Sequence, residues 1–247
     1  MPSEQPDPKH PGRLTAILSK QPQAGQVKTR LCPPLEPAQA AGLAAAMLQD
    51  TIERCQAAAE AGSYRAALWY APASAKVWFR RAAPGLALFP QAGAGLAERM
   101  AQALDLGLSQ SGTESMVLIG SDQPMVPGAR ILEAHRALEA GCDVVLGPDA
   151  GGGYYLIGMK RPHPELFHSI PMSTGTMRQQ TVELARELGL RVQLLEEGYD
   201  VDVAADLLRL AADLWRWNEP AHPDFPRHSQ ALIARLPSTP ALPFDHG

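Results

Sequence analysis

The residues best placed to do chemistry lie in the stretch Met116 to Pro124, MVLIGSDQP. The apolar run Met116-Val117-Leu118-Ile119 is stopped by Gly120 and followed by Pro124, which predicts a short strand buried on both faces. Such strands belong to parallel sheets covered by helices, and open sheets of that kind bind ligands at the carboxyl ends of their strands. Asp122 is therefore a carboxylate at the mouth of a sheet. It suits Mg²⁺ or Mn²⁺, hard ions that take a protein carboxylate or two together with substrate phosphates. It suits a turn equally well, because Asp-x-Pro is good turn chemistry.

A second constellation follows an earlier apolar run, Leu14 to Leu18. The loop KQPQAGQVKTRL carries the cations Lys20, Lys28 and Arg30, the hydroxyl of Thr29, and Gly25 where a backbone can approach closely. A loop between a first strand and a first helix is where α/β proteins cradle phosphates, so a phosphate site is favoured here over a solvated basic loop. GQVKT lacks the leading glycine of GxxxxGK[ST], so this is no P-loop, and it is no dinucleotide fingerprint.

Three further segments are weaker. Tyr199-Asp200-Val201-Asp202-Val203, with Asp206 beyond, offers carboxylates between a strand and a helix, where acids also simply cap the helix and complement its dipole. Gly147-Pro148-Asp149-Ala150-Gly151-Gly152-Gly153-Tyr154-Tyr155 marks a close backbone approach, with tyrosines that could stack on a base or sugar or merely pack. Gln91 to Met100 contains a GxG without its third glycine and reads as a turn into a helix. No histidine takes a role; His135 is expected on an exposed helix face. A nucleophile elbow is absent.

The elements that must position these groups alternate. Strands are expected at Leu14–Leu18, Ala66–Tyr70, Leu86–Phe89, Met116–Ile119, Asp143–Pro148, Tyr154–Gly158 and Arg191–Leu195. Helices are expected from Pro37 to Ala61 with Gly62 ending it, near Ser74 to Arg81, from Gly95 to Leu108, from Pro127 to Ala140, from Ser173 to Leu188 with Ser173 or Thr174 as cap, and from about Asp202 through Trp215. This order predicts an α/β fold: a single doubly wound, mostly parallel, Rossmann-like sheet with helices on both faces. Residues 1–12 read as a disordered arm, 13–217 as the domain, and 218–247 as a loosely attached Pro-rich tail.

Composition narrows the classes. A chain of 247 residues, 45% hydrophobic, suits one large α/β domain. A net charge of -4 gives no footprint for nucleic acid. Cys32, Cys55 and Cys142 have neither disulfide-framework nor zinc spacing. With no signal-peptide pattern and no membrane-length apolar run, a cytoplasmic protein with no membrane partner is expected.

Taken in order, these segments resemble the DUF2064 family, described as glycosyltransferases linked to arsenosugar biosynthesis within the nucleotide-diphospho-sugar transferase (GT-A-like) superfamily. The matching residues include Lys20, Pro22, Gly25 and Val27 to Leu31; Asp50-Thr51; Leu96 with Glu98 to Met100; Ile119 to Asp122 with Pro124; and Asp143 to Pro148. Gly152 to Gly158, Ser173-Thr174, Thr181, Asp200 to Asp202 and Asp206-Leu207 complete the set. The resemblance implies transfer of a sugar from a nucleotide-diphosphate donor to a small-molecule acceptor, assisted by Mg²⁺ or Mn²⁺. It implies that Asp122 ligates the metal and that Asp202 is a second ligand or positions acceptor water. Lys20, Lys28 and Arg30 would contact phosphates, with Gly25 and Thr29 shaping the loop. The donor or acceptor would lie beside Asp149, Gly152, Gly153 and Tyr154. The family's Asp before Gly-Gly-Tyr is Gly151 here, its Trp before Ser-Thr is Met172, its Cys after the central Asp is Gln123, and its Gly after Leu96 is Ala97. The Lys-Thr-Arg-Leu loop also resembles 2-phospho-lactate guanylyltransferases, which would use a nucleoside triphosphate and release pyrophosphate. Gly151 motivates a third reading, a nucleotide-binding domain without turnover.

Overall fold

The computed structural model describes residues 12–61, 63–172 and 174–236. The expected N-terminal arm falls almost wholly outside these residues, as do Gly62 and Ser173.

Seven strands form one sheet: β1 (Arg13–Lys20), β2 (Arg65–Ala71), β3 (Ala87–Pro90), β4 (Ser115–Ile119), β5 (Val144–Pro148), β6 (Tyr154–Met159) and β7 (Val192–Leu194). Their order is β3-β2-β1-β4-β6-β5-β7. All neighbours run parallel except β6, which is antiparallel to both β4 and β5. β5 and β6 are joined through the glycine loop and need no crossover helix, which is what lets β6 reverse. Sheet order reverses at β1, which has β2 on one side and β4 on the other, so the crevice between the ends of β1 and β4 is the topological switch point.

The helices are α1 (Pro37–Glu60), α2 (Lys76–Ala82), α3 (Leu96–Leu108), α4 (Gly128–Glu139), α5 (Glu165–His168), α6 (Met177–Glu187), α7 (Ala204–Arg216) and α8 (Arg227–Ile233). Strand alternation splits the core into two layers. Met116 and Leu118 of β4 pack with Met100 and Leu104 of α3 and Val182 of α6. Val117 and Ile119 pack on the other face with Ile52 of α1, Phe79 of α2 and Ile131 of α4. The central strand is thus buried on both faces and the sheet is doubly wound, as its apolar run predicts. None of the described helices is long and apolar enough to cross a membrane.

The cap of α6 differs from expectation: its N-cap position is Thr176, and the Thr174 hydroxyl donates instead to the carbonyl of Pro171. His135 is not on an exposed face. It is fully buried, with Nε2 3.0 Å from Thr15 Oγ1 and Nδ1 3.1 Å from Ser115 Oγ, because α4 lays this face directly on β1 and β4.

The expected loose tail is also corrected. Its described part carries α8, which packs on α1. Asp50 of α1 accepts the backbone N–H groups of His228 and Ser229 and the Ser229 hydroxyl, at 2.8, 2.9 and 2.6 Å. The carboxylate therefore caps a helix far away in sequence, satisfying donors that α8 leaves unpaired at its own start. Phe225 and Ile233 join a third apolar cluster with Leu31, Leu43, Met47, Val201 and Leu210. Spacing within the Pro-rich segment gave too short an apolar patch to show this; the partners lie on α1 and α7.

Candidate functional site

A cleft of about 460 Å³ opens at the carboxyl edge of the sheet over the switch point. β1 ends in it with Leu18, Ser19 and Lys20, and β4 with Leu118 to Gln123. Tyr154 to Ile157 enter from β6, which begins at this edge because it runs antiparallel. Ser19 Oγ and Ser121 Oγ lie 3.4 Å apart, so the two loops meet at the floor.

The first loop is built by local rules. Gln26 N–H donates to the carbonyl of Gln23 at 3.0 Å, closing a turn with Gly25 at φ 74°, a position that favours glycine. Beyond it Lys28 takes the left-handed conformation, φ 50° and ψ 36°. Its carbonyl accepts from Leu31 N–H at 3.0 Å, opening a short 3₁₀ turn, Thr29–Leu31, and fully buried Leu31 anchors that turn.

This conformation directs the Lys28 side chain inward, where it is only 6% exposed. Its Nζ lies 3.0 Å from Asp122 Oδ2 and 3.9 Å from Asp202 Oδ1. Arg30, on the outside, donates from Nη1 to Asp202 Oδ2 at 2.6 Å. The first loop, the β4 loop and the segment before α7 thus converge on one charged cluster.

The approach of Asp202 rests on backbone pairing. Gly198 N–H donates to the carbonyl of Pro148 at 2.8 Å, Ala150 N–H to that of Gly198 at 3.1 Å, and Val201 N–H to that of Asp122 at 3.0 Å. This segment is therefore stitched to the ends of β5 and β4. Asp206 accepts from the N–H groups of Asp202 and Val203 at 3.0 and 2.8 Å, so its carboxylate is spent capping α7.

Asp200 is the residue that sequence reasoning left out of the site. It lines the cleft, and its Oδ1 is buried without a hydrogen-bond partner. Burial, with Asp122 and Asp149 next in importance, pushes its carboxyl up to about 7 against the opposing pull of Lys28. Asp200 and Asp202, two residues apart in Asp-Val-Asp, both line the cleft, and that spacing is already present in the sequence. Gln91 and Arg99 were also missed. Gln91 donates to the carbonyls of Ser19 and Trp69 at 2.8 and 2.9 Å, tying β1 to β2 beside the cleft.

Of the expected site residues, Lys20, Lys28, Asp122, Asp202 and Tyr154 line the cleft. Gly25 and Thr29 shape the loop without lining it, and Arg30 reaches the site through Asp202. The glycine segment needs correction. A Cβ at Gly152, whose φ is 86°, would collide with the carbonyl of Gly175, and one at Gly153 would collide with Asp149. The close approach is thus to the chain itself, and neither glycine lines the cleft. Asp149 is buried and folds back to accept Gly151 N–H at 2.6 Å. Tyr154 packs into the core, and burial raises its hydroxyl above the usual tyrosine range.

Carboxylate oxygens of Asp122, Asp200 and Asp202 are the donor type that Mg²⁺ and Mn²⁺ take. A buried, unpartnered Asp200 oxygen among like charges is an environment that a cation relieves, so the donor set fits such an ion. As the side chains stand, no group of three or more His, Cys, Asp or Glu among the described residues is arranged to hold a metal. The Lys28 ammonium lies between the Asp122 and Asp202 carboxylates.

Comparison with known proteins bears on this geometry. The chain is 29% identical to a proposed nucleotide-diphospho-sugar transferase from Desulfovibrio desulfuricans G20, with a TM-score of 0.79 over 90% of this chain and 97% of that one. Two more distant structures share the fold. One is CMP:2-keto-3-deoxy-manno-octonic acid synthetase complexed with CTP, at 12% identity and TM-score 0.53, covering 83% of this chain and 98% of that one. The other is glucosyl-3-phosphoglycerate synthase from Mycobacterium tuberculosis with Mn²⁺, UDP and glucosyl-3-phosphoglycerate, at 12% identity and TM-score 0.50, covering 83% and 79%. No curated protein matches the chain. Residues 51–174, half of the sequence, match the family of uncharacterized proteins conserved in bacteria, DUF2064. The chain belongs to the DUF2064 family.

Proposed function

We propose that this protein is a transferase that takes a sugar from a nucleotide-diphosphate donor and passes it to a small-molecule acceptor, with a divalent ion held at Asp122 and Asp202. The observation that carries the reading is the convergence of Lys28, Asp122 and Asp202 at the switch-point cleft. Ligands of open α/β sheets bind there. Likeness to the proposed sugar-nucleotide transferase over nearly the whole chain supports the same reading, and the UDP and Mn²⁺ of the more distant synthase suggest ligands to test.

Each residue has a task in this scheme. Lys20 and Lys28 contact the phosphates, and Arg30 orients Asp202 from the rim. Asp122, Asp202 and Asp200 supply hard oxygens to the ion. When bound, such an ion neutralises charge on the departing diphosphate. Lys20 and Lys28 add fixed positive charge at the same place, which favours departure without a covalent intermediate. Leu96, Arg99 and Met100 of α3 line one side of the cleft.

The test is a thermal-shift screen of UDP-, GDP-, TDP-, ADP- and CDP-sugars and the nucleoside triphosphates, each with Mg²⁺, Mn²⁺ or EDTA. Metal-dependent stabilisation by one nucleotide sugar, lost in Asp122→Ala, is the expected result and names the donor. Stabilisation by a triphosphate alone would replace the proposal with a nucleotidyltransferase. No response to any nucleotide would sink the enzyme reading.

A further inference from the structure

We infer that Lys28 is the resident counter-ion of the Asp122–Asp202 pair, and that a divalent ion binds there only when a diphosphate draws the Lys28 ammonium away. The inference rests on the proposed cation role of those carboxylates and deepens it: metal and nucleotide enter as a unit, never metal first.

The geometry is specific. Lys28 is the only described non-glycine residue with positive φ, a conformation that L side chains rarely adopt. Strain of this kind persists only where the surroundings hold it. They do so at both ends of the residue: Leu31 pins its carbonyl, and Asp122 holds its ammonium at 3.0 Å. The side chain is almost wholly buried while Asp122 and Asp202 are each nearly half exposed. A solvated surface lysine would show the opposite exposure.

Charge balance gives the rest. Asp122 and Asp202 carry two negative charges, already matched by Lys28 and Arg30, while Asp200 and Lys20, which also line the cleft, add one group of each sign. A divalent ion added to that set leaves an excess of positive charge in a small volume. It also needs carboxylate oxygens at about 2.1 Å, space that the ammonium holds. A nucleoside diphosphate brings its own negative charge. It gives Lys28 a new partner and frees the oxygens together.

The experiment measures Mn²⁺ binding without nucleotide, from loss of the free Mn²⁺ paramagnetic resonance signal. The full chain is compared with Lys28→Met and Lys28→Arg at pH 7.5. Lys28→Met should bind Mn²⁺ at least tenfold tighter than wild type, Lys28→Arg should stay as weak as wild type, and Asp122→Ala should abolish the gain. Adding UDP should raise Mn²⁺ affinity of wild type more than that of Lys28→Met. Equal, tight Mn²⁺ binding by wild type and Lys28→Met would overturn the counter-ion role and leave the cation reading standing. If no Mn²⁺ binds to either protein, with or without UDP, the cation reading falls and takes this inference with it. Far-ultraviolet circular dichroism and melting of each variant establish that it is folded; if Lys28→Met unfolds, wild type alone decides, because tight Mn²⁺ binding without UDP overturns the inference.

Discussion

The backbone N–H of Val201 donates to the carbonyl of Asp122 at 3.0 Å. That bond fixes the distance between carboxylates on two loops that chain order keeps far apart. It places Asp202 beside the loop that holds Lys28, and Asp200 in the same cleft.

Removing the Asp122 carboxylate should cost ligand binding and little else. Its side chain is 45% exposed, and the buried Lys28 ammonium keeps Asp202 at 3.9 Å when Asp122 is removed, so the loss to the unliganded fold is about 1 kcal/mol. A ligand at a hundred times its Kd stabilises by about 2.7 kcal/mol. Asp122→Ala should melt close to wild type without ligand and lose the nucleotide-dependent increment.

Asp200→Asn should stabilise the unliganded protein. Its carboxyl ordinarily titrates near 3.8 and is held at about 7 in the fold. Between those values the native state binds more protons than the unfolded state, so wild-type stability falls as pH rises through that window. The penalty reaches up to about 4 kcal/mol above pH 7. Urea unfolding in EDTA should show Asp200→Asn and wild type converging near pH 4 and separating toward pH 8. Parallel curves would count against the buried, unpartnered carboxylate.

His135 sets an opposite trend in acid. Burial, with Arg13 nearby, lowers it from 6.5 to about 3. The unfolded state therefore binds the extra proton first, and stability is lost as pH falls from about 6.5 toward 3. The loss from this one group is about 2 kcal/mol at pH 5. In His135→Gln the slope of stability against pH over this range should drop by about one proton.

Asp50→Ala should undock α8. It leaves the part-buried N–H of His228 and the buried N–H of Ser229 without an acceptor, a loss of about 1–3 kcal/mol. Burial raises the Asp50 carboxyl above its ordinary range, so protonation as well as substitution weakens the cap. Because Phe225 and Ile233 share a cluster with Leu31 and Val201, amide exchange should speed up in residues 28–31 and 199–203 as well as in α8. Exchange confined to α8 would show that the cluster does not couple to the cleft.

Gly152→Ala should cost more than an ordinary loop substitution. The positive φ and the Gly175 carbonyl both oppose a Cβ, which places the loss at about 2 kcal/mol or more. The melting temperature checks it.

What the sequence determined by itself was everything governed by near neighbours. Apolar runs marked the strands, most clearly β4, β5 and β6, which are buried throughout, because burial on two faces leaves a continuous apolar signature. Strand and helix alternation set the sheet class, and the position of Lys20, Lys28 and Asp122 just after strands put them at the binding edge. Tertiary structure alone decided which distant groups meet. The bond from Val201 to Asp122 joins Asp202 to the cleft, and like-charge crowding around Asp200 arises only once β4 and β5 take their places on either side of β6. The same holds where expectation failed. Gly152 packs closely on the Gly175 backbone, His135 is sealed beneath α4, and the Pro-rich tail docks through Asp50. In each case the partner comes from another part of the chain, and local spacing carries no record of it.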